Sequence, residues 1–159
     1  MARKATLVSV KHAATYFDFL VAVELVAQDI YGKERDKKAV LVTATAQSPK
    51  DFPDDQKAKW EEMTLDVFNK VWIAGVPTVH ASGNDADVAG REDIDEVPML
   101  YETKERPFIN VCGNDYDGGK TSWAQGGEHV TLYAPDTKIP CQTKKDGTKE
   151  LDGTSYGES

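Results

Sequence analysis

The stretch GVPTVHASGND, Gly75 to Asp85, decides how the rest of the chain is arranged. Gly75 and Pro77 end whatever helix precedes them. "PTVHAS" then reads as a strand, short and rich in β-branched and apolar side chains. It runs into Gly83-Asn84-Asp85. Taken alone, that is turn chemistry. It is also a place from which an asparagine amide can donate a hydrogen bond into a crevice.

Working upstream, Trp60, Met63, Val67, Val71 and Ala74 recur at helical spacing. "SPKDFPDDQ" before them is a turn followed by acidic residues suited to a helix N-terminus. "KAVLVTATA" is another strand with an almost continuous apolar run. Leu20, Val23, Ala27, Ile30 and Tyr31 place one stripe on an earlier helix, from about Tyr16 to Tyr31, with Gly32 as its stop. "KATLVSV" at the start reads as the first strand. The order is strand, helix, strand, helix, strand, which predicts parallel strands joined by right-handed crossovers. Continuous apolar strands predict a sheet covered on both faces. Chemistry in such sheets gathers at the carboxyl ends of the strands, where "SGND" sits.

Downstream the style changes. "DADVAGREDIDEVPMLYETKERP" is a long acidic loop region, and "FINVCG" is a fourth strand. "NDYDGGKTSWAQGGEHVTLYAPDTKIPCQ" alternates short strands with Gly-rich turns. "TKKDGTKELDGTS" is polar and turn-rich. There is no internal repeat and no interdomain linker, so residues 1–159 read as one domain.

Composition sets the outer bounds. Hydrophobic residues make up 40% and charged residues 29% of 159, ordinary for a globular domain. The net charge of −8 argues against nucleic acid, whose phosphates call for a basic face. "YFDFLVAVELVAQDIYG" carries Asp18 and Glu24 and predicts no membrane span. The apolar run from Ala5 to Val10 is too short for a signal peptide, so the chain shows no cellular address of its own. Cys112 and Cys141 either pair or act as two small hydrophobes.

"GVPTVHASGND", then "RPFINVCGNDYDGGKTSWAQGGEHVTLYAPD", then "DGTSYGES" resembles, in that order, the subtilisin-like serine peptidases. "TSWAQGG" stands for that family's "F-S-x-x-G" segment. "VTLYAPD" stands for its "A-P-G" segment, with Asp136 in place of the glycine. The resemblance runs from about Ala5 to Ser155. It implies a three-layer α/β fold, a mostly parallel sheet flanked by helices, incomplete at both ends. It implies Ser155 as nucleophile and Asn84 as oxyanion donor, with a polypeptide as substrate. Ala81, Ser82 and Gly83 match one wall of the pocket before the scissile bond, small enough to admit a large apolar side chain. Ala44, Thr45 and Ala46 would form the opposing wall, where the family has Ser-x-Gly. No cofactor is implied. Structural calcium occurs in principle, but nothing in the sequence indicates it.

A serine nucleophile needs a base, and the base needs an orienting carboxylate. The family carries both upstream of the segment that "KATLVSV" matches. His12, His80 and His129 lie in none of the expected contexts. His80 reads as a core or pocket-wall residue. The expectation is therefore a peptidase-type domain that hydrolyses little by itself, or else a peptidase-like domain that binds peptides or a partner without cleaving them. A nucleotide-binding α/β domain would want a Gly-rich turn after the first strand, which "VSVKHAATYF" lacks. Metal binding by Asp85, Asp87, Glu92, Asp93, Asp95 and Glu96 is the weaker reading of a solvated acidic loop.

Overall fold

The structure is a computed structural model that describes residues 5–33, 39–142 and 147–157. Two long helices, α1 (Tyr16–Gly32) and α2 (Lys57–Ile73), pack against each other. Thr15 caps α1, its hydroxyl accepting from the Asp18 N–H at 3.1 Å. The face of α1 that carries Phe19, Leu20, Val23, Ala27 and Ile30 is buried, as 3.6-residue periodicity requires. Tyr31 belongs to the expected stripe but is exposed, and its hydroxyl donates to the Lys70 carbonyl at 2.8 Å. Lys70 also pairs with Glu24 at 2.7 Å, a second tie between the helices.

The main sheet has four parallel strands in the order β1 (Leu41–Thr43), β2 (Thr78–Ala81), β3 (Ile109–Asn114) and β4 (Leu132–Pro135). Helices α1 and α2 cover one face. There Phe68 of α2 meets His80 and Phe108 edge-on or tilted, with ring centroids 5.7 and 5.2 Å apart. The opposite face carries Val111 and Ala134, against which a single helical turn, α3 (Thr154–Gly157), is seated. Helices on both faces of a parallel sheet make a three-layer α/β fold. A separate antiparallel hairpin, β5 (Ile139–Gln142) with β6 (Thr148–Leu151), leads into α3.

Three expectations need correction. Residues 5–10 of "KATLVSV" are not a strand (Lys4 lies outside the described residues); they are exposed and join no β-ladder. Their apolar pattern has no hydrogen-bonded neighbour to fix it. Only three residues of "KAVLVTATA" form β1, which is a sheet edge with Val42 49% exposed. It is not covered on both faces. "TKKDGTKELDGTS", expected as plain turn, contributes the β6 strand, with residues 143–146 outside the described residues. The cysteines are not joined: Cys112 is buried in β3 and Cys141 lies on the hairpin.

Candidate active site

The carboxyl end of β2 turns sharply at Gly83, whose φ is +108°. A Cβ there would stand 1.9 Å from the Gln125 Oε1, so only glycine fits. Gln125 is fully buried and pins the turn from behind. Its backbone N–H donates to the Gly83 carbonyl at 3.1 Å. Its side-chain amide is shared among the carbonyls of Arg91 and Asp93, each at 3.1 Å, and the Asp95 carboxylate at 2.9 Å. The residue after the turn, Asn84, is thereby held in a fixed direction.

Asn84 reaches across to α3. Its Oδ1 accepts from the Thr154 N–H at 2.9 Å and from the Thr154 hydroxyl at 3.0 Å. A backbone N–H can only donate, so the side chain's oxygen must face Thr154 and its NH2 must face the other way. The turn that carries Ser155 starts at Gly153, with φ +145°, another conformation that L side chains rarely adopt. The Gly153 N–H donates to the Asp136 carbonyl at 2.8 Å, and the Tyr156 N–H to the Gly153 carbonyl at 3.0 Å.

Between these two turns lies a cavity of about 200 Å3. Ala44, Ala46, Ala81, Gly83, Asn84, Thr154 and Ser155 line it, together with Asp85 and Glu96. The structure thus brings together six of the eight residues singled out in the sequence. The other two point elsewhere. Ser82 is fully buried, beside the Cys112 thiol. Thr45 turns its hydroxyl to the His12 Nε2 at 3.1 Å. Both lie just past the carboxyl ends of their strands, Thr45 beyond β1 and Ser82 beyond β2.

No histidine lines this cavity. His12 sits at the end of β1, stacked obliquely on Phe19. His129 faces Glu102 at 3.8 Å. His80 is enclosed by Phe68 and Phe108, and burial pushes its pKa down to about 3, so its ring stays neutral.

Asp85 and Glu96, which the sequence reading placed in a solvated acidic loop, are instead held on Arg91. Its guanidinium pairs with Asp85, with Asp95 at 2.9 Å and with Glu96 at 2.5 Å. Burial raises the Asp95 pKa, but hydrogen bonds from Arg91 and Gln125 outweigh it and hold the carboxyl below the usual range. Hydrogen bonding to Asp95 foremost, then to Glu96, raises the Arg91 pKa. Among the described residues, no group of three or more His, Cys, Asp or Glu is arranged to hold a metal ion.

Asp136 replaces a glycine of the resemblance, and its carboxylate fills a specific space. A Cβ on Gly113 would lie 1.7 Å from its Oδ2. The side chain is fully buried, accepts from the Thr121 hydroxyl at 2.9 Å, and has its pKa raised by desolvation. Glycine at 113 and aspartate at 136 are therefore a matched pair. Sequence reading missed this pair, and it missed Thr154 and Gln125, because each acts through a partner far away in the chain; it missed Arg91 because the nearby Asp85, Asp95 and Glu96 read as a solvated acidic loop.

No protein-family model matches the chain, and no curated protein matches it. Solved structures do. One described as a cold-adapted subtilisin-like serine proteinase superposes with a TM-score of 0.66 and 18% identity, covering 92% of this chain and 45% of that one. The prenylagaramide maturation protease PagA superposes with a TM-score of 0.59 and 17% identity, covering 87% of this chain and 45% of its own. The chain has a subtilisin-like α/β fold and spans somewhat under half the length of these two proteases.

Proposed function

We propose that the chain carries the nucleophile and oxyanion side of a serine-peptidase site, with Ser155 as the attacking residue and Asn84 as the amide donor. The observation that carries this reading is the union of Asn84 and Thr154, seventy residues apart, at the mouth of one cavity beside Ser155. A polypeptide lying across the mouth would present a carbonyl to the Ser155 Oγ. Attack forms the C–O bond and moves an electron pair onto the carbonyl oxygen. The Asn84 NH2 and the Ser155 backbone N–H are the donors for that charge. The serine proton must pass to a base and then to the departing amine.

None of the three histidines of this chain lines the cavity, so no histidine stands ready to take that proton. On that ground the chain by itself binds an extended peptide and hydrolyses it little. A wholly non-cleaving, peptide-binding role is the second reading, and the same observation favours it. A fluorophosphonate probe separates them. Slow or absent labelling of Ser155, with saturable peptide binding that Asn84→Leu weakens, fits the half-site. Rapid stoichiometric labelling of Ser155 would overturn the claim of low intrinsic reactivity. Peptide binding indifferent to Asn84 and to Ala81 would overturn the site itself.

A further inference from the structure

The cavity beside Ser155 is lined by two kinds of residue. Ala44, Ala46, Ala81 and Gly83 carry little or no side chain and leave it open. Asp85 and Glu96 add two carboxylates to the lining, and no lysine, arginine or histidine lines it. Backbone structure fixes the place of both. Asp85 follows Asn84 at the turn after β2. Glu96 is brought in by a two-way bridge: the Val97 N–H donates to the Gln47 carbonyl at 2.9 Å, and the Gln47 N–H to the Val97 carbonyl at 3.1 Å. That latch sets the acidic loop against the segment after β1, which carries Ala44 and Ala46.

Arg91 does not cancel this charge. Its fullest pairing is with Asp95, which lies outside the lining and takes the Arg91 Nε on Oδ2 at 3.0 Å and the Nη2 on Oδ1 at 2.9 Å. A guanidinium and a carboxylate in that fork make one neutral pair, so Asp85 and Glu96 stand as two carboxylates in excess. Each gives Arg91 a single oxygen, Oδ2 of Asp85 and Oε1 of Glu96, which leaves Oδ1 and Oε2 to take a further donor. Lys50, 3.6 Å from Asp95, has a side chain 73% exposed and lies outside the lining, so solvent screens it.

We propose that this cavity takes a basic side chain, lysine or arginine, from the bound polypeptide, and not the large apolar one that its small walls suggest by themselves. The methylene stem lies along Ala44, Ala46 and Ala81, and the cationic head meets Asp85 and Glu96. An apolar side chain of the same length would strip water from two carboxylates and give them no donor in return. An acidic one would add a third negative charge. The proposal deepens the peptide-binding reading of this site and rests on it. It does not depend on whether Ser155 reacts.

The test uses the full chain and a set of peptide amides, Ala-Ala-Ala-X, labelled at the amino end and read by fluorescence anisotropy. X is lysine, norleucine or glutamate; norleucine has the lysine stem without the ammonium group. The lysine peptide should bind about tenfold more tightly than the norleucine one, the worth of one charge-assisted hydrogen bond, and the glutamate peptide most weakly. Glu96→Gln and Asp85→Asn each keep the shape of the wall and should shrink the lysine advantage while leaving norleucine binding unchanged. The comparison of peptides on the parent protein keeps the test sound if a variant misfolds. Norleucine bound as tightly as lysine, or more tightly, would overturn the basic preference; if that binding still falls in Asn84→Leu, the peptide site itself stands. A lysine advantage unchanged in both variants would place the cation elsewhere and overturn the proposal too. Binding of none of the peptides would overturn the peptide site and the basic preference together.

Discussion

The Asn84 Oδ1 accepts two hydrogen bonds from Thr154, one from its N–H at 2.9 Å and one from its hydroxyl at 3.0 Å. This clamp closes the turn after β2 onto the turn that carries Ser155. It also fixes which end of the Asn84 amide faces the cavity mouth. Structure and chemistry are therefore separable at one side chain. Asn84→Asp keeps the accepting oxygen and loses the donor. Its stability should stay within about 1 kcal/mol of the parent, while affinity for peptide carbonyls falls. Asn84→Ala removes both and leaves two donors without their partner, at a cost of about 1–3 kcal/mol. Urea unfolding of the two variants side by side checks the difference; equal losses would show that the clamp contributes nothing.

Gly83 and Gly90 make a controlled pair. Both have positive φ, +108° and +81°. A Cβ at Gly90 meets nothing within 4 Å, whereas one at Gly83 meets the buried Gln125 amide at 1.9 Å. Gly90→Ala should cost only the backbone term, about 1 kcal/mol. Gly83→Ala adds displacement of a fully buried amide and should cost about 3 kcal/mol or more. Thermal melts of both variants test this. Comparable shifts would mean that Gln125 moves aside without penalty.

Arg91 is one cation facing three carboxylates, Asp85, Asp95 and Glu96, in a partly buried setting. Replacing it by methionine leaves their repulsion offset only by the exposed Lys50, 3.6 Å from Asp95. The expected loss is about 3 kcal/mol, partly recovered by added salt. Arg91→Lys should recover less than its charge suggests, because one ammonium cannot span the three acceptors that the planar guanidinium reaches. Denaturant midpoints at low and high ionic strength give the answer. A salt-independent loss would point to packing rather than charge.

These residues show what could be read in the sequence. The helices α1 and α2 and the parallel strands were legible because burial imposes a period on the sequence, 3.6 or 2, that survives without coordinates. Asn84 and Ser155 were reached only through the resemblance, since each glycine-bearing turn taken alone reads as ordinary turn chemistry; the structure sets both on the lining of one cavity. Gln125 and the Gly113–Asp136 pair were not legible, since each gains meaning only from a residue distant in the chain, and Arg91 was not, since its nearby carboxylates read as a solvated loop. Residues 5–10 mislead for the opposite reason. Their apolar, β-branched pattern is that of a strand, but a strand exists only where a neighbour completes its ladder, and β1 does not pair with them.

Two buried ionisable groups give opposite pH dependences. His80 has its pKa lowered by burial from 6.5 to about 3. Unfolded, this histidine takes up a proton near pH 6.5; folded, it resists until about pH 3. Its contribution to stability is full above pH 6.5 and is lost progressively as pH falls from there towards 3. Asp136 has its pKa raised above 3.8 by desolvation. Its contribution is full below pH 3.8, where both states are protonated, and is lost as pH rises through the folded value. Acid therefore weakens the fold through His80 and relieves it at Asp136. His80→Leu, placed between Phe68 and Phe108, removes the first term together with the two unpartnered nitrogens of the His80 ring. The parent's stability should fall between pH 6.5 and 5 more steeply than that of His80→Leu, measured by urea unfolding at each pH. Parallel curves for the two proteins would show that His80 is protonated in the folded state, against its enclosure by aromatic rings.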